Sequence, residues 1–126
     1  MPVIEGAVKE VLDKTEWVTI VTSGEKPHLV ATWGDYIREL GIEQDKIVIP
    51  AGHYEKTEEN LKSNNKIQLL IASKGVKGSY GPGQGCLIEG EGKIETDGET
   101  AKKAKEKFEW ARGALVIKVK NYKNML

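Results

Sequence analysis

Apolar positions along this chain recur with two different periods. Residues 4–14 place Ala7, Val8, Val11 and Leu12 at spacings of one, three and four, the stripe of a short amphipathic helix. From Trp17 the pattern changes to the β-branched run Trp-Val-Thr-Ile-Val-Thr, which predicts a strand over 17–22. Ser23-Gly24-Glu25-Lys26-Pro27 supplies turn residues and 28–33 predicts a second strand, so the two read as a hairpin. A short apolar strand over 47–49 is stopped by Pro50, a polar helix follows over 56–64, and 67–72 is a near-continuous apolar run that suits a buried strand. Residues 86–95 interleave apolar positions with glycine, as a bent or bulged strand would. Gly98-Glu99-Thr100 opens a helix running to about Trp110, with Ala101, Ala104, Phe108 and Ala111 on one face, and 115–119 predicts the last strand. Six short strands, few helices and no strand–helix–strand alternation predict an antiparallel barrel or sandwich. That pattern counts against a nicotinamide site of the dinucleotide-fold type.

Composition narrows the classes of function. At 126 residues, with no repeat, linker or composition break, residues 1–126 read as a single domain with one core. Lys+Arg and Asp+Glu are both 19, so no bulk cationic field favours nucleic acid, and none is expected as a partner. The single cysteine, Cys86, excludes an internal disulfide and fits a reducing compartment. Two histidines, His28 and His53, are too few for a histidine-rich metal site, and no metal is expected. The first fourteen residues carry Glu5, Glu10 and Asp13 and have no continuous apolar core, so neither a secretion signal nor a membrane span is expected. The expected location is the cytoplasm.

Five segments have the makings of a site. Seven of the fourteen glycines lie between Gly75 and Gly92, and Gly81-Pro82-Gly83-Gln84-Gly85 joins two strand-like runs. It reads either as a hairpin connection needing positive φ or as a concave loop whose N–H groups hold an anion. Lys56-Thr57 stand where a helix should begin after Pro50-Ala51-Gly52: Thr57 is a good N-cap, and an ammonium beside free helix N–H groups makes an anion site. Ala31-Thr32-Trp33-Gly34-Asp35-Tyr36, at a strand end, pairs two large aromatic residues beside small ones, as core filling or as a slot for a flat ring. Ser73-Lys74-Gly75 offers a hydroxyl and a cation after a buried strand, or a solvated turn. Arg112, closing the last helix, either neutralises its C-terminus or reaches an anionic ligand.

The order of these motifs resembles a known family. Pro27-His28-Leu29-Val30-x-Thr32-Trp33, then Pro50-x-Gly52 with Lys56-Thr57-Glu58-x-Asn60, then Gly81-Pro82-Gly83-x-Gly85-x-Leu87-Ile88, resembles the small FMN-binding proteins of the pyridoxamine-5′-phosphate-oxidase-like split-barrel family. Thr96-Asp97-Gly98 and Trp110-Ala111-Arg112-x-Ala114-Leu115-Val116-Ile117 extend the likeness, which runs from about Glu10 to Leu126. Within the family it is similar to the short FMN-binding proteins of sulfate-reducing anaerobes, proposed electron carriers.

The resemblance implies a mainly β fold, a six-stranded antiparallel split barrel of Greek-key type, and a homodimer with FMN held near the subunit interface. It implies Lys56 and Thr57 at the phosphate, with Asn60, Ser73 and Lys74 nearby. Val30, Ala31, Thr32 and Trp33 would run along the ring system, and Pro50, Ala51 and Gly52 would pass close to it. Gly81, Gly83, Gln84 and Gly85 would give close backbone approaches, Trp33, Tyr36 and Trp110 the aromatic surroundings, and Leu126 would reach the partner's flavin. Ala31, Tyr54-Glu55 and Tyr80 depart from the pattern, Ala31 by lacking a polar side chain. The arginine-rich segments of the larger oxidases are missing as well, so a vitamin-B6 oxidase is not expected. No catalytic side chain is implied. The expected function is electron transfer between FMN and a redox partner protein. The alternatives are an NAD(P)H-dependent flavin or quinone-type reductase of the same fold, and a binding module for a deazaflavin or haem.

Overall fold

The computed structural model describes residues 3–126. About half of the chain is strand. The order along the sequence is α1 (Ala7–Lys14), β1 (Trp17–Ser23), β2 (Pro27–Trp33), α2 (Gly34–Leu40), β3 (Ile42–Glu43), β4 (Lys46–Ala51), α3 (Glu55–Ser63), β5 (Lys66–Gly78), β6 (Gly81–Glu95), α4 (Gly98–Lys107) and β7 (Gly113–Asn124). The strands form one sheet in the order β2-β1-β5-β6-β7-β4-β3, and every neighbouring pair is antiparallel. The mainly β, antiparallel expectation holds. The strands number seven rather than six, because Ile42 and Glu43 add a two-residue strand paired to Ile47 and Lys46.

Alternation explains how the sheet buries one face. In β1 the inward residues are Val18, Ile20 and Thr22. Val18 and Ile20 pack with Leu69 and Ile71 of β5, Ile88 of β6, Ile47 and Ile49 of β4, and Leu115, Ile117 and Val119 of β7. Burying such side chains stabilises by about 1.5–3 kcal/mol each before entropy is counted. Val8, Val11 and Leu12 of α1 cover this core from one side.

Helix α2 is absent from the sequence-based expectation, which read 31–36 as a strand end. It is only seven residues long and buries Gly34, Ile37 and Leu40. The chain can turn into it because Gly34 lies against the end of α1: its N–H donates to the Glu16 carbonyl at 2.8 Å, and a Cβ there would stand 2.0 Å from the Thr15 oxygen. Helix α4 stops at Lys107, short of the expected Trp110.

The glycine-rich segment is a strand rather than an open loop. β5 and β6 pair as far as Gly78 and Gly81, leaving Ser79-Tyr80 as the turn. Gly81 (φ 132°) and Gly83 (φ 115°) adopt backbone angles that side-chain-bearing residues avoid. Gly78 allows the hairpin to close, since a Cβ there would meet the Gly83 carbonyl oxygen at 2.3 Å. Among the described residues no helix is long and apolar enough to cross a membrane, and no group of three or more His, Cys, Asp or Glu could hold a metal ion.

Candidate functional site

The ends of β2 and β4, the first turn of α2 and the segment after α4 converge on a groove of about 480 Å³. Ala31, Thr32 and Trp33 come from β2, Tyr36 from α2, Pro50 and Gly52 from around the end of β4, and Trp110 from beyond α4. The sequence motifs named all seven, and the fold brings them together. Three further residues line the groove: Trp17, His53 and Tyr54. Trp17 is placed there by strand register, opposite Trp33.

Two groups of rings border the groove. Trp17 and Trp33 meet edge to face, with centroids 5.3 Å apart and planes at 83°. Tyr36, Phe108 and Trp110 form a second cluster with centroid separations of 5.0, 5.4 and 5.5 Å. Such geometry favours aromatic pairs beyond their buried area. Gly52 lets the backbone approach the Trp110 ring closely: a Cβ there would lie 3.0 Å from it. The result is a slot with aromatic borders and small residues between them, suited to a flat ring system.

Polar groups gather at one end. Tyr54 precedes α3 in a left-handed conformation (φ 61°), which among the described residues is the one case outside glycine. Its hydroxyl donates to the Ala31 carbonyl at 3.0 Å. Burial raises the Tyr54 phenol above its ordinary value, against a smaller opposing effect from a hydrogen bond with the Thr32 hydroxyl. The Glu55 carboxyl is held below its usual range, chiefly by its own backbone N–H, with a lesser contribution from His53. His53 Nδ1 lies 3.6 Å from Glu55 Oε1.

The opening of α3 differs from the expectation in one respect. The helix starts at Glu55 with Tyr54 as its N-cap, so Thr57 lies within the first turn and does not cap it. No side chain caps the end through its neighbours' N–H groups. The Thr57 hydroxyl is buried and has no hydrogen-bond partner. An unsatisfied buried hydroxyl ordinarily costs about 1–3 kcal/mol, so it asks for an explanation. Beside it in sequence, Lys56 is exposed, with Glu59 3.6 Å away. Asn60, one turn on, is committed elsewhere: its Nδ2 donates to Thr22 Oγ1 at 3.1 Å.

The remaining candidates lie outside the groove's lining. Val30 packs on the core side of β2, and Ala51 is fully buried, its carbonyl accepting from Arg112 N at 2.8 Å. Ser73 Oγ accepts from Gly75 N at 3.1 Å, next to a β-bulge. Ser73 and Lys74 follow Ile71, the β5 partner of Val18, and do not line the groove. Gly81, Gly83, Gln84 and Gly85 form the far end of the β5–β6 hairpin. There the Gln84 amide holds the backbone of Leu126, donating to its carbonyl at 2.8 Å and accepting from its N–H at 2.9 Å. Within one chain, then, the candidates divide into the groove, the start of α3 and the hairpin tip. Arg112 does not neutralise the end of α4, which stops at Lys107: it pairs with Glu58 at 2.9 Å and donates to the His53 carbonyl.

Comparison with known proteins identifies the class first. The family model for pyridoxamine 5′-phosphate oxidase matches residues 4–125, and the chain belongs to that family. A particular relative narrows this. The chain is 41% identical over 117 residues to the FMN-binding protein of Nitratidesulfovibrio vulgaris (strain DSM 19637 / Miyazaki F), covering 92% of this chain and 93% of the relative. Among solved structures, the H111A variant of HupZ from Group A Streptococcus superposes with a TM-score of 0.76 at 16% identity, over 97% of this chain and 99% of that one. An FMN-binding protein from Syntrophomonas wolfei does so with a TM-score of 0.64 at 18% identity, over 94% and 88%. At such identities these two likenesses establish the fold alone.

Proposed function

We propose that this chain is a cytoplasmic, homodimeric flavoprotein that binds FMN and exchanges electrons with a redox partner protein. The observation that carries the reading is the likeness, over nearly the whole chain, to a protein named for FMN binding. The residues present suit that nucleotide. The aromatic-bordered groove matches a flat tricyclic ring, and the unpartnered Thr57 hydroxyl stands in the uncapped first turn of α3, where helix N–H groups favour an anion.

In this reading Thr57 Oγ1, the free N–H groups of the first turn and the Lys56 ammonium bind the phosphate, with charge-assisted hydrogen bonds of about 1.5–3 kcal/mol each. Trp17, Trp33, Tyr36 and Trp110 orient the ring plane and exclude water from it. FMN, when bound, supplies reversible uptake and release of electrons, while the protein sets its potential and access. The exposed apolar face of β1, β2 and β5, which carries Leu29 and Leu70, supports the second subunit.

The test is the visible spectrum and cofactor mass of the purified protein after incubation with FMN. Two visible flavin bands at one FMN per chain support the reading; a protein that stays colourless, or one that shows a Soret band, rejects it. Rapid mixing of the loaded protein with NADH then separates carrier from reductase. Slow reduction fits the carrier, whereas prompt bleaching at catalytic rates assigns the protein to the reductases.

A further inference from the structure

We propose that Tyr54 sets the specificity of the groove: its phenol oxygen accepts a hydrogen bond from the imide N–H of a bound isoalloxazine. The inference rests on the FMN reading above and names the residue that recognises the ring's polar edge.

Three observations converge on it. First, Tyr54 takes a left-handed backbone conformation that costs a bulky residue on the order of 1 kcal/mol or more, where glycine or asparagine would fit with less strain. The ring lines the groove and also packs against the main core. Second, the hydroxyl has one proton and donates it to the Ala31 carbonyl at 3.0 Å. Only acceptor capacity remains on that oxygen. A lone pair on it is left for a ligand. Third, two other hydrogen-bonding side chains around the groove are directed elsewhere: the Trp17 indole N–H donates to Thr19 Oγ1 at 3.0 Å, and His53 is exposed and faces Glu55. Ala31 itself offers only a methyl group.

The groove therefore presents an acceptor beside its apolar floor. An imide edge supplies the N–H that such an acceptor needs, and an N-alkylated imide does not. The phenol stays neutral through the physiological range, since burial raises rather than lowers its pKa.

The test compares FMN with N3-methyl-FMN on the wild-type protein and on Tyr54→Phe, by fluorescence titration. The wild type should bind FMN about tenfold more tightly than the methylated analogue, and Tyr54→Phe should bind the two within about twofold, because one hydrogen bond has been removed from either side. The ratio is read on folded protein only, so it is independent of any loss of stability. Tyr54→Met, with its adaptable side chain, repeats the measurement if the phenylalanine variant does not fold. Tenfold discrimination that survives in the variant, or a wild type that does not discriminate, overturns the assignment of Tyr54 while leaving FMN binding intact. A wild type that binds neither flavin overturns the functional reading itself, and this inference with it.

Discussion

Arg112 joins two segments that the sequence keeps far apart: its Nη2 lies 2.9 Å from Glu58 Oε1, and its Nε donates to the His53 carbonyl at 2.9 Å. Its own N–H also donates to the Ala51 carbonyl at 2.8 Å. One residue thus clamps the turn that delivers Gly52, His53 and Tyr54 to the groove. The ion pair is partly exposed, 32% and 24% at the two side chains, so its own contribution is discounted for screening. Arg112→Ala should lower stability by about 1–2 kcal/mol, mostly through the unpaired His53 carbonyl and Glu58, and should weaken FMN binding as the turn loosens. Arg112→Lys should recover only part, because an ammonium cannot reproduce the forked contacts. Urea unfolding and flavin titration measure both effects; an unchanged midpoint in the alanine variant would show that the turn holds itself.

Thr57 allows a test in which two readouts move in opposite directions. Valine has the shape of threonine without the hydroxyl that lacks a partner. Thr57→Val should therefore stabilise the FMN-free protein by about 1 kcal/mol and weaken FMN binding by about 1.5–3 kcal/mol. Lys56→Ala should leave stability within about 0.5 kcal/mol, since its pair with Glu59 is a surface one, while also weakening FMN binding. A valine variant that gains stability and keeps full affinity would remove Thr57 from the phosphate site.

Much of this was legible in the sequence, and the parts that were not share a physical cause. The six strands were visible because each is a run of β-branched or alternating residues whose pattern is local. Helix α2 was not: three inward positions in seven residues leave little periodicity, and what fixes it is the contact of Gly34 with Thr15, nineteen positions earlier. The glycine segment showed its need for positive φ at Gly81 and Gly83, but not that it continues a ladder with β5, because pairing is a long-range fact. Seven groove residues could be named from motifs. Trp17 could not, since only the register opposite Trp33 puts it there. Tyr54 stood out as a departure from the family pattern, yet its role depends on a backbone angle that residue type argues against.

The outer face of the sheet predicts self-association. Leu29 and Leu70 are 62% and 46% exposed. Thr19 pairs with both Ala31 and Leu70, and Val21 pairs with Leu29, so these side chains share the face opposite buried Val18 and Ile20. Trp17 and Trp33 extend that face to the groove. A contiguous apolar patch of this kind is unusual on a monomer. Light scattering should give a dimer for the wild type and a monomer for Leu70→Glu, with circular dichroism unchanged because the side chain points away from the core. A monomeric wild type that retains FMN would sink the homodimer proposal.

Alkaline pH should expose two buried acids in sequence. Burial raises the Cys86 thiol above its ordinary 9.0 and the Tyr54 phenol above its ordinary 10.0. Between the ordinary value and the raised one, the folded protein keeps a proton that the unfolded chain has released. The folded state then binds more protons, so stability falls as pH rises. Below about pH 9 neither group contributes a slope, and the urea midpoint should be flat on their account. Above 9 the Cys86 contribution should decline, followed above 10 by that of Tyr54. Cys86→Ala should flatten the first part of the decline and Tyr54→Phe the second. Midpoints recorded from pH 7 to 11 check this, and variants that track the wild type throughout would mean that both groups titrate as freely in the fold as outside it.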